Sequence, residues 1–70
     1  MTDSEKIKLI ENAIEADRLT PETRLENIET WDSMARLSLL SMFSAHFHGL
    51  DVEKLASFQT IGDILNEMTD

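Results

Sequence analysis

The sequence predicts an all-α fold, a small four-helix bundle with a long first loop and a short third helix. Three observations carry this. Apolar residues recur at helical spacing in separate stretches of the chain. Residues that start helices (Thr2, Asp32, Asp51 and Thr60) stand ahead of those stretches. Two Gly and one Pro in 70 residues suit helices better than a turn-rich β fold.

The first helix is predicted over about residues 3–17. Thr2 and Glu5 form a Thr-x-x-Glu capping box ahead of Ile7, Ile10 and Ile14, with Leu9 and Ala13 flanking and Glu11 and Glu15 on the wetter side. Arg18 to Asp32 shows no sustained period and opens with Thr20-Pro21, where the proline disfavours helix before it. Leu19, Leu25 and Ile28 read as plugs that pin this loop to the core, with Glu22, Glu26 and Glu29 facing solvent. A connection this long usually carries function.

The second helix is predicted over about 33–47, with an inward stripe of Met34, Leu37, Leu40, Phe43 and Phe47 that Leu39 and Met42 widen. Gly49 is placed to cap its end. A short third helix over about 52–57 starts at Asp51 and turns Val52 and Leu55 inward, and Phe58 anchors the turn after it. Thr60 and Asp63 repeat the capping logic for a last helix over about 61–68, with Ile61, Ile64, Leu65 and Met68 on one face. Gly62, in its first turn, is expected to allow close helix packing.

Seventy residues make one domain, 1–70, of the size at which stability is marginal. Without Cys there is neither a disulfide framework nor a thiolate metal site. A net charge of −8 argues against nucleic acid as a partner, because phosphates require basic residues. No apolar run approaches the roughly 20 residues of a membrane span. The acidic, polar start Met1-Thr2-Asp3-Ser4-Glu5 is unlike a signal peptide, so a cytoplasmic location is expected.

Glu29-Thr30-Trp31-Asp32-Ser33-Met34 marks the change from irregular polar chain to apolar helix. A serine there is exposed beside free backbone N–H groups that favour anions. Asp-Ser before an apolar run is most often only a helix cap. The surrounding segments change that weighting. Leu19-Thr20-Pro21 with Thr23-Arg24-Leu25-Glu26-Asn27-Ile28, then Trp31-Asp32-Ser33-Met34, then Leu37, Leu40 and Phe43 through Phe47-His48-Gly49-Leu50, and finally Thr60-Ile61-Gly62-Asp63, follow one another in order and spacing. In these segments the chain resembles the acyl carrier protein family: its first loop, its Asp-Ser-Leu attachment motif with Met for Leu, its second helix and following turn, and its Thr-Val-Gly-Asp start of the last helix.

The resemblance implies a stand-alone, monomeric acyl-carrier-like bundle that is not an enzyme. A phosphopantetheinyl transferase would move 4′-phosphopantetheine from coenzyme A to Ser33, with Mg²⁺ in that enzyme's site. The arm would carry an acyl or aminoacyl cargo as a thioester, given and taken by separate loading and transferring enzymes. Asp32 and Met34 would help hold the group, and Trp31, Met34, Arg36 and Leu37 would meet partners. By the same resemblance, carriers of primary fatty-acid synthesis have an acidic second helix that docks on basic enzyme patches. Here no acidic residue lies between Ser33 and Leu50, and the helix carries Ala35, Arg36, Ser38, Ser41, Ser44 and His46 in place of that acidic face. Trp31 before Asp-Ser also resembles dedicated carriers that serve polysaccharide decoration, secondary metabolites or aminoacyl transfer, so a dedicated pathway, of lipid or secondary-metabolite biosynthesis among others, is expected rather than bulk fatty-acid synthesis.

Other chemistries fare worse. A catalytic serine needs a base in reach, and His46 and His48 are expected three or four turns away on the same helix. His46-x-His48 has the wrong spacing for one helix face and reads as a solvated helix end, so no metal site is expected. The alternative is a carrier-like helical interaction module without a prosthetic group. It gives no reason to keep Ser33 beside Asp32, which can cap alone.

Overall fold

A computed structural model describes residues 2–68; Met1, Thr69 and Asp70, the ends of the predicted 1–70 domain, lie outside the described residues. The fold is all-α, with four helices and no strand among those residues: α1 (Asp3–Ile14), α2 (Ser33–His46), α3 (Val52–Ser57) and α4 (Ile61–Glu67). None is long and apolar enough to cross a membrane.

Helix α1 starts at its capping box: the Glu5 N–H donates to Thr2 Oγ1 at 3.2 Å and the Thr2 N–H to Glu5 Oε1 at 3.1 Å. It stops at Ile14, short of the predicted end. Glu15 turns into the left-handed region at φ 55°, and Arg18 does so again at φ 57°. Each such residue costs about 1–2 kcal/mol. Burial of Leu19 and a 3.1 Å bond from its N–H to Glu11 Oε2 hold the turn, so Glu11 is drawn half inside rather than left on the wet side.

The long first loop is more ordered than its sequence suggests. Leu25–Asn27 forms one 3₁₀ turn. Backbone bonds tie the loop to the start of α4: Leu25 N–H to the Gln59 carbonyl at 2.9 Å, Ile61 N–H to Thr23 at 2.9 Å and Gly62 N–H to Pro21 at 2.8 Å. The loop thereby satisfies N–H groups that a helix start leaves free. The need for glycine at Gly62 lies here: a Cβ would sit 3.0 Å from the Pro21 carbonyl oxygen, so the close approach is loop to helix rather than helix to helix. Leu19 and Leu25 are buried and Ile28 half-buried, as plugs should be.

Helix α2 is rotated from the predicted orientation. Its buried residues are Ala35, Leu39, Met42 and Phe43, whereas Met34 is 71% and Leu37 58% exposed and Leu40 is half-buried. Two apolar ladders run along this helix and share Phe43; packing, chiefly against α1, selects the one through Ala35 and Leu39. Gly49 does not cap the helix. The cap residue is Phe47, whose N–H reaches the Phe43 carbonyl at 2.9 Å, and Gly49 has no positive φ.

Helix α3 is held weakly. Asp51 occupies its N-cap position without a side-chain capping bond, and Val52 is 70% exposed rather than inward, leaving Leu55 and the following Phe58 as its anchors. Helix α4 has both bonds of the Thr60–Asp63 capping box. Asp63 also accepts from the Gln59 N–H at 2.8 Å, and the Gln59 and Thr60 N–H groups hold its carboxyl below the usual range. The core is closed by Ile10, Ile14, Leu39, Phe43, Ile61, Ile64 and Met68, with no polar residue buried among the described ones.

Candidate functional site

Ser33 is the first residue of α2, and the residue before it does the capping. Asp32 Oδ1 accepts from the Ala35 N–H at 2.9 Å, and the Asp32 carbonyl accepts from the Arg36 N–H at 3.0 Å. The Ser33 side chain is exposed and its hydroxyl makes no hydrogen bond among the described residues. It stands at the positive end of a 14-residue helix, with no other acidic residue in the first turn.

The surroundings of Ser33 are apolar and cationic on one side and acidic on the other. Trp31 is half-buried at the edge of the core, its backbone N–H bonded to the Ile28 carbonyl at 3.1 Å. The Arg36 guanidinium lies over the Trp31 ring, 5.7 Å from its centroid, a contact worth about 0.5–1 kcal/mol at an exposed site. Met34 and Leu37 project outward from the same end of the helix. Farther along, Leu37, Leu40, Ser41, Ser44 and Ala45 line a shallow groove of about 500 Å³. On the α1 side, a cleft of about 440 Å³ runs from Ala13 and Ile14 to Met34 and Ser38, with Glu15, Glu29 and Asp32 on its walls. The sequence carries no signal for that cleft, because Glu15 and Glu29 meet Asp32 only through the loop's path.

Of the predicted site residues, the fold brings Trp31, Asp32, Ser33, Met34, Arg36 and Leu37 together on one end of α2. The histidines are elsewhere. His46 is exposed in the last turn of α2, about 20 Å along the helix from Ser33 at 1.5 Å per residue. His48 lies beyond the helix rather than on it. Its Nδ1 is 2.9 Å from the Gly49 carbonyl oxygen and its Nε2 3.1 Å from that of Glu67 at the end of α4. Both neighbours only accept hydrogen bonds, so only the imidazolium can donate to both at once, and the two carbonyls, Gly49 foremost, raise the His48 pKa. Both histidines are exposed at the end of α2, as a solvated helix end implies, and His48 in addition lies against two backbone carbonyls. Among the described residues, no three potential metal ligands converge. No protein-family model, curated protein or solved structure matches the chain.

Proposed function

We propose that the chain is a carrier protein, an acyl-carrier-like four-helix bundle that carries an acyl or aminoacyl cargo on 4′-phosphopantetheine attached to Ser33 and catalyses nothing itself. The observation that supports it is the division of labour at the start of α2: Asp32 caps the helix, and the neighbouring Ser33 hydroxyl is left exposed. A serine serving only as a cap would hold an N–H, and this one does not.

The residues fit the group. Its phosphodiester would carry one negative charge at a helix N-terminus, which favours an anion by roughly 0.3–1 kcal/mol when exposed. Asp32 opposes that charge, but one of its oxygens is held by the Ala35 N–H. Its remaining capacity suits it to the divalent cation and the enzyme that attach the group. The arm, once attached, supplies a terminal thiol for a thioester. Ser33 needs only to be reachable, because a separate transferase activates its hydroxyl; the Oγ–phosphorus bond forms as the bond to the adenosine 3′,5′-bisphosphate part of coenzyme A breaks, and the hydroxyl proton leaves to a base on that enzyme.

Met34 and Leu37 form the apolar part of the surface offered to loading and transferring enzymes. The absence of acidic residues from α2 favours partners without a basic docking patch, hence a dedicated pathway. Intact mass after incubation with coenzyme A, Mg²⁺ and a broad-specificity phosphopantetheinyl transferase tests the reading. The wild type should gain one phosphopantetheine and Ser33→Ala none. A folded chain that gains nothing from several transferases would instead be an unmodified interaction module.

A further inference from the structure

Resting on Ser33 as the attachment point, we propose that Arg36 binds the phosphate borne by Ser33, with Trp31 as the platform that holds the guanidinium in place. Three observations meet here. Residues three apart on a helix are neighbours, with Cβ atoms about 5–6 Å apart, so Ser33 and Arg36 share a side of α2. The Arg36 side chain runs back toward the helix start, because its guanidinium lies over Trp31, two residues before Ser33. Trp31 and Arg36 therefore bracket Ser33. Third, Arg36, like Lys6, Lys8 and Arg18, has no carboxylate partner among the described residues, and of these four it is the one beside Ser33.

The chemistry of the pair suits a phosphate. The 5.7 Å cation–π contact uses none of the guanidinium's N–H groups in a hydrogen bond, and a guanidinium can offer two of them to two phosphate oxygens at once. Lysine could supply the charge at that position but not the fork. The contact with half-buried Trp31 limits the freedom of the arginine before the phosphate arrives, so less ordering is needed on binding.

The probe is the full chain carrying phosphoserine at position 33, prepared by chemical synthesis, as wild type, Arg36→Gln and Arg36→Lys. Phosphorus NMR then follows the second ionisation of the phosphate, ordinarily near pH 6. Every version keeps the start of α2 and Asp32, so differences between them report Arg36. The phosphate should ionise roughly 0.3–0.7 pH units lower in the wild type than in Arg36→Gln, with Arg36→Lys between. The gap should narrow in strong salt. Trp31, the single tryptophan in a chain without tyrosine, should also change its emission on phosphorylation in the wild type and not in Arg36→Gln.

Equal ionisation in wild type and Arg36→Gln, with circular dichroism showing both folded, overturns the proposal; Arg36 is then left to meet a carboxylate on a partner protein. The transferase experiment fails separately. If no phosphopantetheine is gained, the carrier reading falls, while the phosphorus titration still decides whether Arg36 binds phosphate at Ser33.

Discussion

Neighbouring leucines on α2 have opposite environments, and this separates stability from recognition. Leu39 is fully buried and Leu37, two positions earlier, is 58% exposed. Leu39→Ala should cost about 2–5 kcal/mol through lost transfer free energy and a cavity, read as a large fall in the urea midpoint. Leu37→Gln should stay within about 0.5 kcal/mol of wild type, as for a surface change, and under the proposed carrier function it should slow cargo transfer by a loading enzyme. Equal losses of stability would mean that α2 faces the core through the Met34–Leu37 ladder after all. The cap at Asp32 was legible in sequence, and it places Ser33 as the first residue of α2. The rotation of α2 was not. Met34, Leu37 and Leu40 repeat at helical spacing as well as Ala35, Leu39 and Met42 do, and only packing against other helices distinguishes them. Met34, expected both in the apolar stripe and at a partner surface, is on the surface.

Helix starts were legible because a cap acts within four residues: the Thr2–Glu5 and Thr60–Asp63 boxes both form, and Asp32 caps α2. Helix ends and the loop were less so. The end of α1 depends on Glu15 and Arg18 accepting left-handed backbone, which neither residue type favours. The order of the first loop depends on residues about 35 to 40 positions away, where Thr23, Pro21 and Leu25 exchange backbone bonds with Gln59, Ile61 and Gly62. Gly62→Ala tests that junction. Alanine favours helix, by up to about 1 kcal/mol in an interior position and less in a first turn. Its methyl, however, would meet the Pro21 oxygen at 3.0 Å, on the carbonyl that the residue 62 N–H bonds at 2.8 Å. Net destabilisation of roughly 0.5–1.5 kcal/mol is expected, with faster hydrogen exchange at the Ile61 and residue 62 amides. A stabilised variant with unchanged exchange would show that the loop yields freely and that the close approach is not needed.

Across the whole molecule, charge and helix ends combine to make stability depend on pH at a place remote from Ser33. A chain at −8 repels itself, and α3 contributes only Leu55 and the adjacent Phe58 to the buried core. His48 bridges this region by donating to the Gly49 carbonyl and to the Glu67 carbonyl at the end of α4, beside the 2.8 Å Lys54–Glu67 ion pair that joins α3 to α4. The imidazolium serves both carbonyls, whereas neutral imidazole can donate to only one and turns a lone pair toward the other. The raised His48 pKa fixes the sign: the folded state binds the proton more tightly than the unfolded chain. The stabilisation is complete below the ordinary histidine value of about 6.5 and disappears as pH rises through the higher folded value. Asp63 and Glu5 act oppositely, since their lowered pKa values give stability above the ordinary carboxylate range that is lost as pH falls through the folded values. Urea midpoints from pH 5.5 to 9 should therefore decline in the wild type, and His48→Gln should remove part of that decline while His46→Gln leaves it. Amides of α3 should lose protection first. If wild type and His48→Gln decline in parallel, the fall belongs to general repulsion among the carboxylates and His48 does not hold α3 to α4.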